Sequence, residues 1–362
     1  MSAGRRAYVD WLRGVAVLIM FTAHGTDAWT RDGDRGSVIY YIRDIVAGFG
    51  APLFLLLAGV AIAFSAASRV RRGASQAEAA RAVAGRGWQI LGLALIFRMQ
   101  MYVTGGFYRW RSLLKVDILN IMGPSIAAAG WMWGLASSTA GKTCVLLVPV
   151  IVLPFATPFV RAAGWLSAIP DPLEAYIRPA GGYASFTLFP WAAFVFAGAA
   201  IGVVLERAAD RASEAWRVGI ITAMGVLIAA FAFAASYAPS PFPNSHFWTT
   251  SPSFFYLRAG ILMAAFGLAW LWSERLFGGA WQPLVLLGQT SLFVYWVHVE
   301  IVYGYLTKPI YHLLPLWASC AGVLALTVLM YFIARYAKAW VQEKRASHLS
   351  DWRVKALTLM GL

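Results

Sequence analysis

VDWLRGVAVLIMFTAHGTDAW, residues 9–29, is long and apolar enough to cross a bilayer, yet it carries Asp10, Arg13, His24 and Asp27. About 20 residues of helix match a hydrocarbon core of ~30 Å. Ionisable groups within such a span are costly unless they face a cavity or a partner, so their spacing is informative. Arg13 and His24 lie about three turns apart at ~3.6 residues per turn, which puts them on one face. Asp10 falls about 40° off that face, and Asp27 sits one turn beyond His24.

The rest of the chain has the same character. Of its 362 residues 60% are hydrophobic and only 13% charged, and mean hydropathy is +0.64. Soluble domains carry about twice that charge. The expected fold is therefore all-α, a polytopic transmembrane helical bundle in one domain over residues 1–362. Ten spans are expected, near 9–29, 45–66, 83–103, 117–137, 142–160, 186–205, 216–236, 254–272, 284–306 and 315–337. Counted on alternate sides of these spans, lysine and arginine number nineteen against ten, with Arg258 inside a span. The positive-inside rule then places both termini, and a basic tail over 338–362, in the cytoplasm. Arg98 to Lys115 is an exception, a positive stretch on the outer side. The formal net charge of +14 follows mostly from this bias and suits anionic lipid headgroups, not nucleic acid. Cys144 and Cys320 lie in apolar stretches with no metal or redox spacing and are expected to be buried thiols. The uninterrupted first span, with Asp10 and Arg13, reads as a retained helix, not a cleaved leader.

Several constellations could carry chemistry. A neutral imidazole can take a proton near neutral pH, and a carboxylate one turn away can orient it. His24 and Asp27 are the candidate catalytic pair. The alternatives are an interhelical hydrogen-bonding histidine and a solvated helix-end carboxylate. Asp10 and Arg13, at i and i+3, form either a local ion pair or part of an anion site. Gly14 would admit a backbone or a ligand. In KVDILNIMGPSIAA, residues 115–128, Asp117 and Asn120 either cap a helix or hold a substrate. Arg258 is a charge within a span, needing a partner or an anionic ligand. In GQTSLFVYWVHVEIVYG, residues 288–304, His298 and Glu300 point about 200° apart, so both cannot face one cavity. His298 is a candidate site residue. AGFGAPLFLLLAGVAIAFS (47–65) and FPWAAFVFAGAAIG (189–202) offer small-residue surfaces for close helix packing. The loops 161–185 and 237–253, with His246 and Trp248, read as an interfacial aromatic belt.

YVDWLRGVAVLIMFTAH (8–24), APLFLLLAGVAIAFS (51–65), VDILNIMG (116–123), FPWAAFVFAGAAIG and SLFVYWVHVEIVYG (291–304) occur in one order. Together they resemble the bacterial heparan-alpha-glucosaminide N-acetyltransferase-like proteins, over roughly residues 8–304. Those lie within the transmembrane acyltransferase superfamily, whose Arg-x10-His element corresponds here to Arg13 and His24. The resemblance implies transfer of an acetyl or acyl group from cytoplasmic acyl-CoA to an acceptor at the opposite membrane face. A carbohydrate or glycolipid is the implied acceptor. His24 would be the base, with Asp10, Arg13 and Gly14 toward the CoA and Asp117, Asn120, Arg258 and His298 toward the acceptor. No metal is implied. The lysosomal branch carries its catalytic histidine in the following loop, where this chain reads TRDGDRGSV. Either His24 takes that role or the chemistry differs. The expected location is a bacterial inner membrane, as a monomer or a homo-oligomer. The rival class is a lipid or solute transporter using His24, Arg258 and Glu300 as coupling residues.

Overall fold

The computed structural model describes residues 6–104, 110–242, 245–276, 282–346 and 352–362. Arg5 and Arg109, both used in the charge count, lie outside the described residues. The helices are α1 (Ala7–Trp29), α2 (Val38–Ala47), α3 (Gly50–Arg71), α4 (Gln76–Thr104), α5 (Ile118–Gly134), α6 (Thr139–Ala162) and α7 (Asp171–Ile177). They continue as α8 (Leu188–Glu206), α9 (Arg211–Ala235), α10 (Pro252–Leu271), α11 (Gln282–Gln289), α12 (Ser291–Tyr303), α13 (Leu316–Ala346) and α14 (Trp352–Leu359). Each of the ten expected segments overlaps one of these helices or the α11–α12 pair.

Among the described residues six helical segments are long and apolar enough to cross a membrane: α2 with α3, α6, α8, α9, α10 with its continuation to Arg275, and α13. The α11–α12 pair brings the number to seven. Outside that class, α1 and α4 carry charge along their length and α5 has only 17 residues. The single span expected over 284–306 is instead two helices bent by 85° at Thr290. Thr290 is fully buried, and its hydroxyl donates back to the Leu286 carbonyl, an arrangement that competes with helix continuation.

Contacts divide the chain into two compact units, one of residues 1–51 with 268–362 and the other of 52–267. In the first, α1 packs against α2, α11, α12 and α13. Two glycines set its distance from α11. A Cβ on Gly14 would stand 2.1 Å from the Leu284 carbonyl oxygen, and one on Gly288 would stand 1.9 Å from that of Asp10. Of the two neighbours the sequence allowed beside Gly14, a backbone or a ligand, the structure places the Leu284 backbone there. Beyond α1 the chain pairs with the segment before α13. Arg31 N donates to Leu314 O (2.8 Å), Leu314 N to Trp29 O (2.9 Å) and His312 N to Ala28 O (3.0 Å). Asp34 accepts from Leu316 N at 2.8 Å, placing a carboxylate at the N-terminus of α13.

In the second unit α8 is the most enclosed span and packs on α5, α6 and α9. The small residues of the 47–65 and 189–202 stretches meet here, and a Cβ on Gly198 would stand 1.8 Å from the Leu56 carbonyl. Arg98 is buried on α4 and pairs with Asp117 at 2.6 Å, so the positive stretch that broke the charge pattern carries its own counter-ion. Despite Pro149, Pro154 and Pro158, α6 is one helix. Cys144 and Cys320 are exposed, not buried as expected. Their stretches are apolar because α6 and α13 also turn Val148, Ile151, Leu324 and Val328 outward, as a lipid-facing surface does.

Gly288→Val should push α11 off α1 and cost about 1–3 kcal/mol or prevent folding. Gly36→Ala, with nothing within 4 Å of the added carbon, is the neutral control. Thermal unfolding in detergent measures both, and equal midpoints would refute the close-packing reading.

Candidate active site

The two histidines that the sequence placed on separate spans meet in the first unit. His24 Nδ1 lies 2.9 Å from His298 Nε2, with the ring planes within 9°. His298 has 0% exposure and sits against Phe21 and Tyr295, at ring distances of 5.0 and 5.8 Å. Its Nδ1 is 2.9 Å from the Val294 carbonyl, one turn earlier on α12. A carbonyl only accepts, so His298 carries its proton on Nδ1. With both rings neutral, His298 Nε2 then accepts, and His24 donates from Nδ1. The basic lone pair of His24 is thereby placed on Nε2. The assignment follows from the hydrogen-bond network.

Asp27 does not supply this orientation. Its carboxylate receives the Tyr303 hydroxyl at 3.4 Å and lies 3.9 Å from Arg35. Tyr303 connects the two groups, since its ring meets His24 edge-on at 5.6 Å. Arg35 also donates to the Asp27 carbonyl (2.6 Å) and to His312 Nδ1 (2.6 Å). Arg43, on α2, donates to the Ala23 carbonyl, the Thr26 hydroxyl and Asp44, gripping the turn that bears His24. The hydroxyl of Tyr311 is pushed upward in pKa by burial and by the nearby Asp27 carboxylate. None of Tyr303, Arg35, Arg43 or His312 was singled out from the sequence. Three arginines within fourteen residues after α1, Arg31, Arg35 and Arg43, were the available signal, and they read as loop charge.

At the other end of α1, buried Asp10 accepts from Arg13 (3.0 Å) and from Gln289 (3.2 Å). Gln289 in turn accepts from Lys338. This chain of contacts brings Arg13 and Lys338 to one end of α1, groups of the kind that bind anions. Along α1 it stands about 16 Å from His24, at ~1.5 Å per residue.

The remaining expected site residues lie in the second unit. Asp117 and Asn120 form a capping box at the start of α5: Asp117 accepts from Ile118 N (2.7 Å) and Asn120 Oδ1 from Asp117 N (3.1 Å). Asn120 also donates to the Tyr176 hydroxyl (3.3 Å), so of the two readings it is capping that the geometry displays. Arg258 lies over Phe254, 3.9 Å from the ring centre, and lines a cavity. Glu300 has a buried carboxylate oxygen with no hydrogen-bond partner among the described residues. No group of three or more His, Cys, Asp or Glu among the described residues is placed to hold a metal.

A helical membrane protein whose α1 carries one member of a hydrogen-bonded histidine pair and, three turns away, an arginine has the parts of a group-transfer catalyst. Over residues 6–335 the chain matches the model of the family Acyl_transf_3, described as Acyltransferase domain. The chain belongs to that family and is a membrane acyltransferase. The match carries the transmembrane acyltransferase superfamily, but not the heparan-alpha-glucosaminide N-acetyltransferase-like branch. No curated protein matches the sequence significantly.

The hydrogen bond from Leu316 and the guanidinium of Arg31 hold the Asp34 carboxyl below the ordinary carboxylate range. A carboxylate with a lowered folded pKa contributes stability that is complete above its unfolded pKa and is lost as pH falls through the folded value. Asp34→Asn should therefore lower the unfolding midpoint at neutral pH. Its further loss between about pH 5 and pH 3 should be shallower than that of the unsubstituted protein. Parallel pH profiles would show that the α13 cap is worth nothing.

Proposed function

We propose that the protein takes an acyl group from acyl-CoA, acetyl-CoA being the simplest donor, and passes it to a hydroxyl or amine acceptor. The observation that carries this is the histidine pair, which gives His24 the tautomer of a general base. His24 Nε2 takes the acceptor proton as the acceptor oxygen or nitrogen bonds to the acyl carbon. The carbon–sulfur bond breaks, and the thiolate leaves with the proton then held on His24. His298 accepts the His24 Nδ1–H throughout and spreads the positive charge that forms, as a carboxylate does in other base-orienting pairs. Tyr303 and Arg43 position the ring; they need not touch either substrate. Direct transfer without an acyl-enzyme is the simpler route.

Arg13 and Lys338, in the Asp10–Arg13–Gln289–Lys338 locus, fit the phosphates of the donor, since guanidinium binds phosphate in a forked geometry. The separation of that locus from His24 is comparable to an extended pantetheine arm. The charge asymmetry of the loops supports donor entry from the cytoplasmic face, and the motif resemblance supports delivery to a sugar or glycolipid at the opposite face of a bacterial inner membrane. Ten crossings with both termini cytoplasmic belong to the same reading. Membrane lipids are the surrounding partners.

In reconstituted protein supplied with acetyl-CoA and a panel of sugars and amino sugars, release of free CoA should require an acceptor. His24→Ala should lower the rate by roughly 10²–10⁴-fold without changing the unfolding midpoint. His298→Ala should lower it more than Asp27→Asn. Wild-type turnover by His24→Ala would remove the base, and a larger loss in Asp27→Asn would return the orienting role to the carboxylate.

A further inference from the structure

The second unit contains a cavity of about 220 Å³ where the C-terminal end of α6 meets the N-terminal ends of α8 and α10. Among the described residues its charged lining groups are Arg161 and Arg258, and no carboxylate lines it. Both arginines keep a buried Nε with no hydrogen-bond partner among the described residues. Arg161 is held in place by its far nitrogen, which donates to the Thr187 hydroxyl (3.1 Å) and the Phe189 carbonyl (3.3 Å). Among the described residues Arg258 has no ion pair or hydrogen bond, and its guanidinium rests only on aromatic faces, 3.9 Å from the Phe254 centre and 5.9 Å from that of Trp191. Trp248 stacks edge-on against Phe254 at 5.0 Å, continuing the aromatic wall.

Guanidinium groups do not lose their charge in proteins, so two of them facing a cavity without a counter-ion leave a strong demand for an anion. Cation–π contact offsets only part of that demand. The hydroxyls of Thr187 and Ser251 add polar partners on the same wall. We infer that this cavity binds a phosphate ester, with the phosphate between Arg161 and Arg258 and its organic group against the tryptophan and phenylalanine rings. The volume lies below the ~300–1,000 Å³ of sites that enclose a whole drug-sized ligand. It therefore suits a headgroup, not an entire nucleotide. The ester comes either from a membrane lipid or from a soluble sugar phosphate. The proposal uses no residue of the histidine pair and stands whether or not the acyl-transfer reading does.

The test uses the full chain in neutral detergent. Glucose 1-phosphate and glucose are titrated by calorimetry, and dioctanoyl phosphatidic acid by native mass spectrometry. Binding of either phosphate, with none of glucose, is expected, and the arm that binds identifies the source. Arg258→Gln should weaken that binding at least tenfold while Arg258→Lys retains part of it. Should Arg258→Gln not fold, Trp248→Ala provides the second variant, its side chain being largely exposed. It should weaken binding several-fold. Absence of binding by both phosphates, glucose binding as tightly as its phosphate, or undiminished binding in the folded variants would overturn the proposal.

Discussion

The hydrogen bond between His298 Nδ1 and the Val294 carbonyl governs the rest of the candidate site. Because the oxygen only accepts, the proton position on His298 is decided by helix geometry, and His24 is decided by His298 in turn. A buried backbone carbonyl, two imidazoles and a lone pair thus form one directional chain. It operates only if α1 and α12 keep their relative height. That requirement explains the density of contacts at the two ends of α1. At one end Gly14 and Gly288 allow backbone contact with α11, and Asp10 is shared by Arg13 and Gln289. At the other, Arg35 and Arg43 hold carbonyls of the last turns while the 312–314 segment pairs with residues 28–31.

Buried charge has two different solutions in this molecule. In the first unit Asp10 is met by Arg13 and accepts from Gln289, which in turn accepts from Lys338. In the second unit Arg98 has Asp117, whereas Arg258 has only aromatic rings among the described residues. The first arrangement is a finished structural pair. The second is complete only when something anionic arrives.

Much of the fold was legible because a span's length and apolarity are local properties. All ten expected segments overlap helices, although length and composition alone support six or seven crossings. The break at Thr290 was hidden, since no proline marks it. The stripe on α1 was legible too, as Arg13 and Asp10 pair at i and i+3. His24 and His298 are 274 residues apart, and no periodicity joins them. The expected Asp27–His24 pairing failed on the same ground: one turn of spacing shows that two side chains can meet, not what else competes for them. Tyr303, 276 residues away, and Arg35, in the loop after α1, compete for Asp27. The exposed cysteines show the same limit, since an apolar stretch does not say whether it faces core or lipid.

The central claim is a tautomer, and nitrogen chemical shifts read it directly. Protein labelled with ¹⁵N-histidine and reconstituted in lipid, with His24→Gln and His298→Gln used to assign the signals, should show both rings protonated at Nδ1. His24 Nε2 should carry the shift of an unprotonated nitrogen at neutral pH. A His24 ring protonated at Nε2 and unprotonated at Nδ1 would contradict the account, because the lone pair would then face His298 and no base would be left for an acceptor.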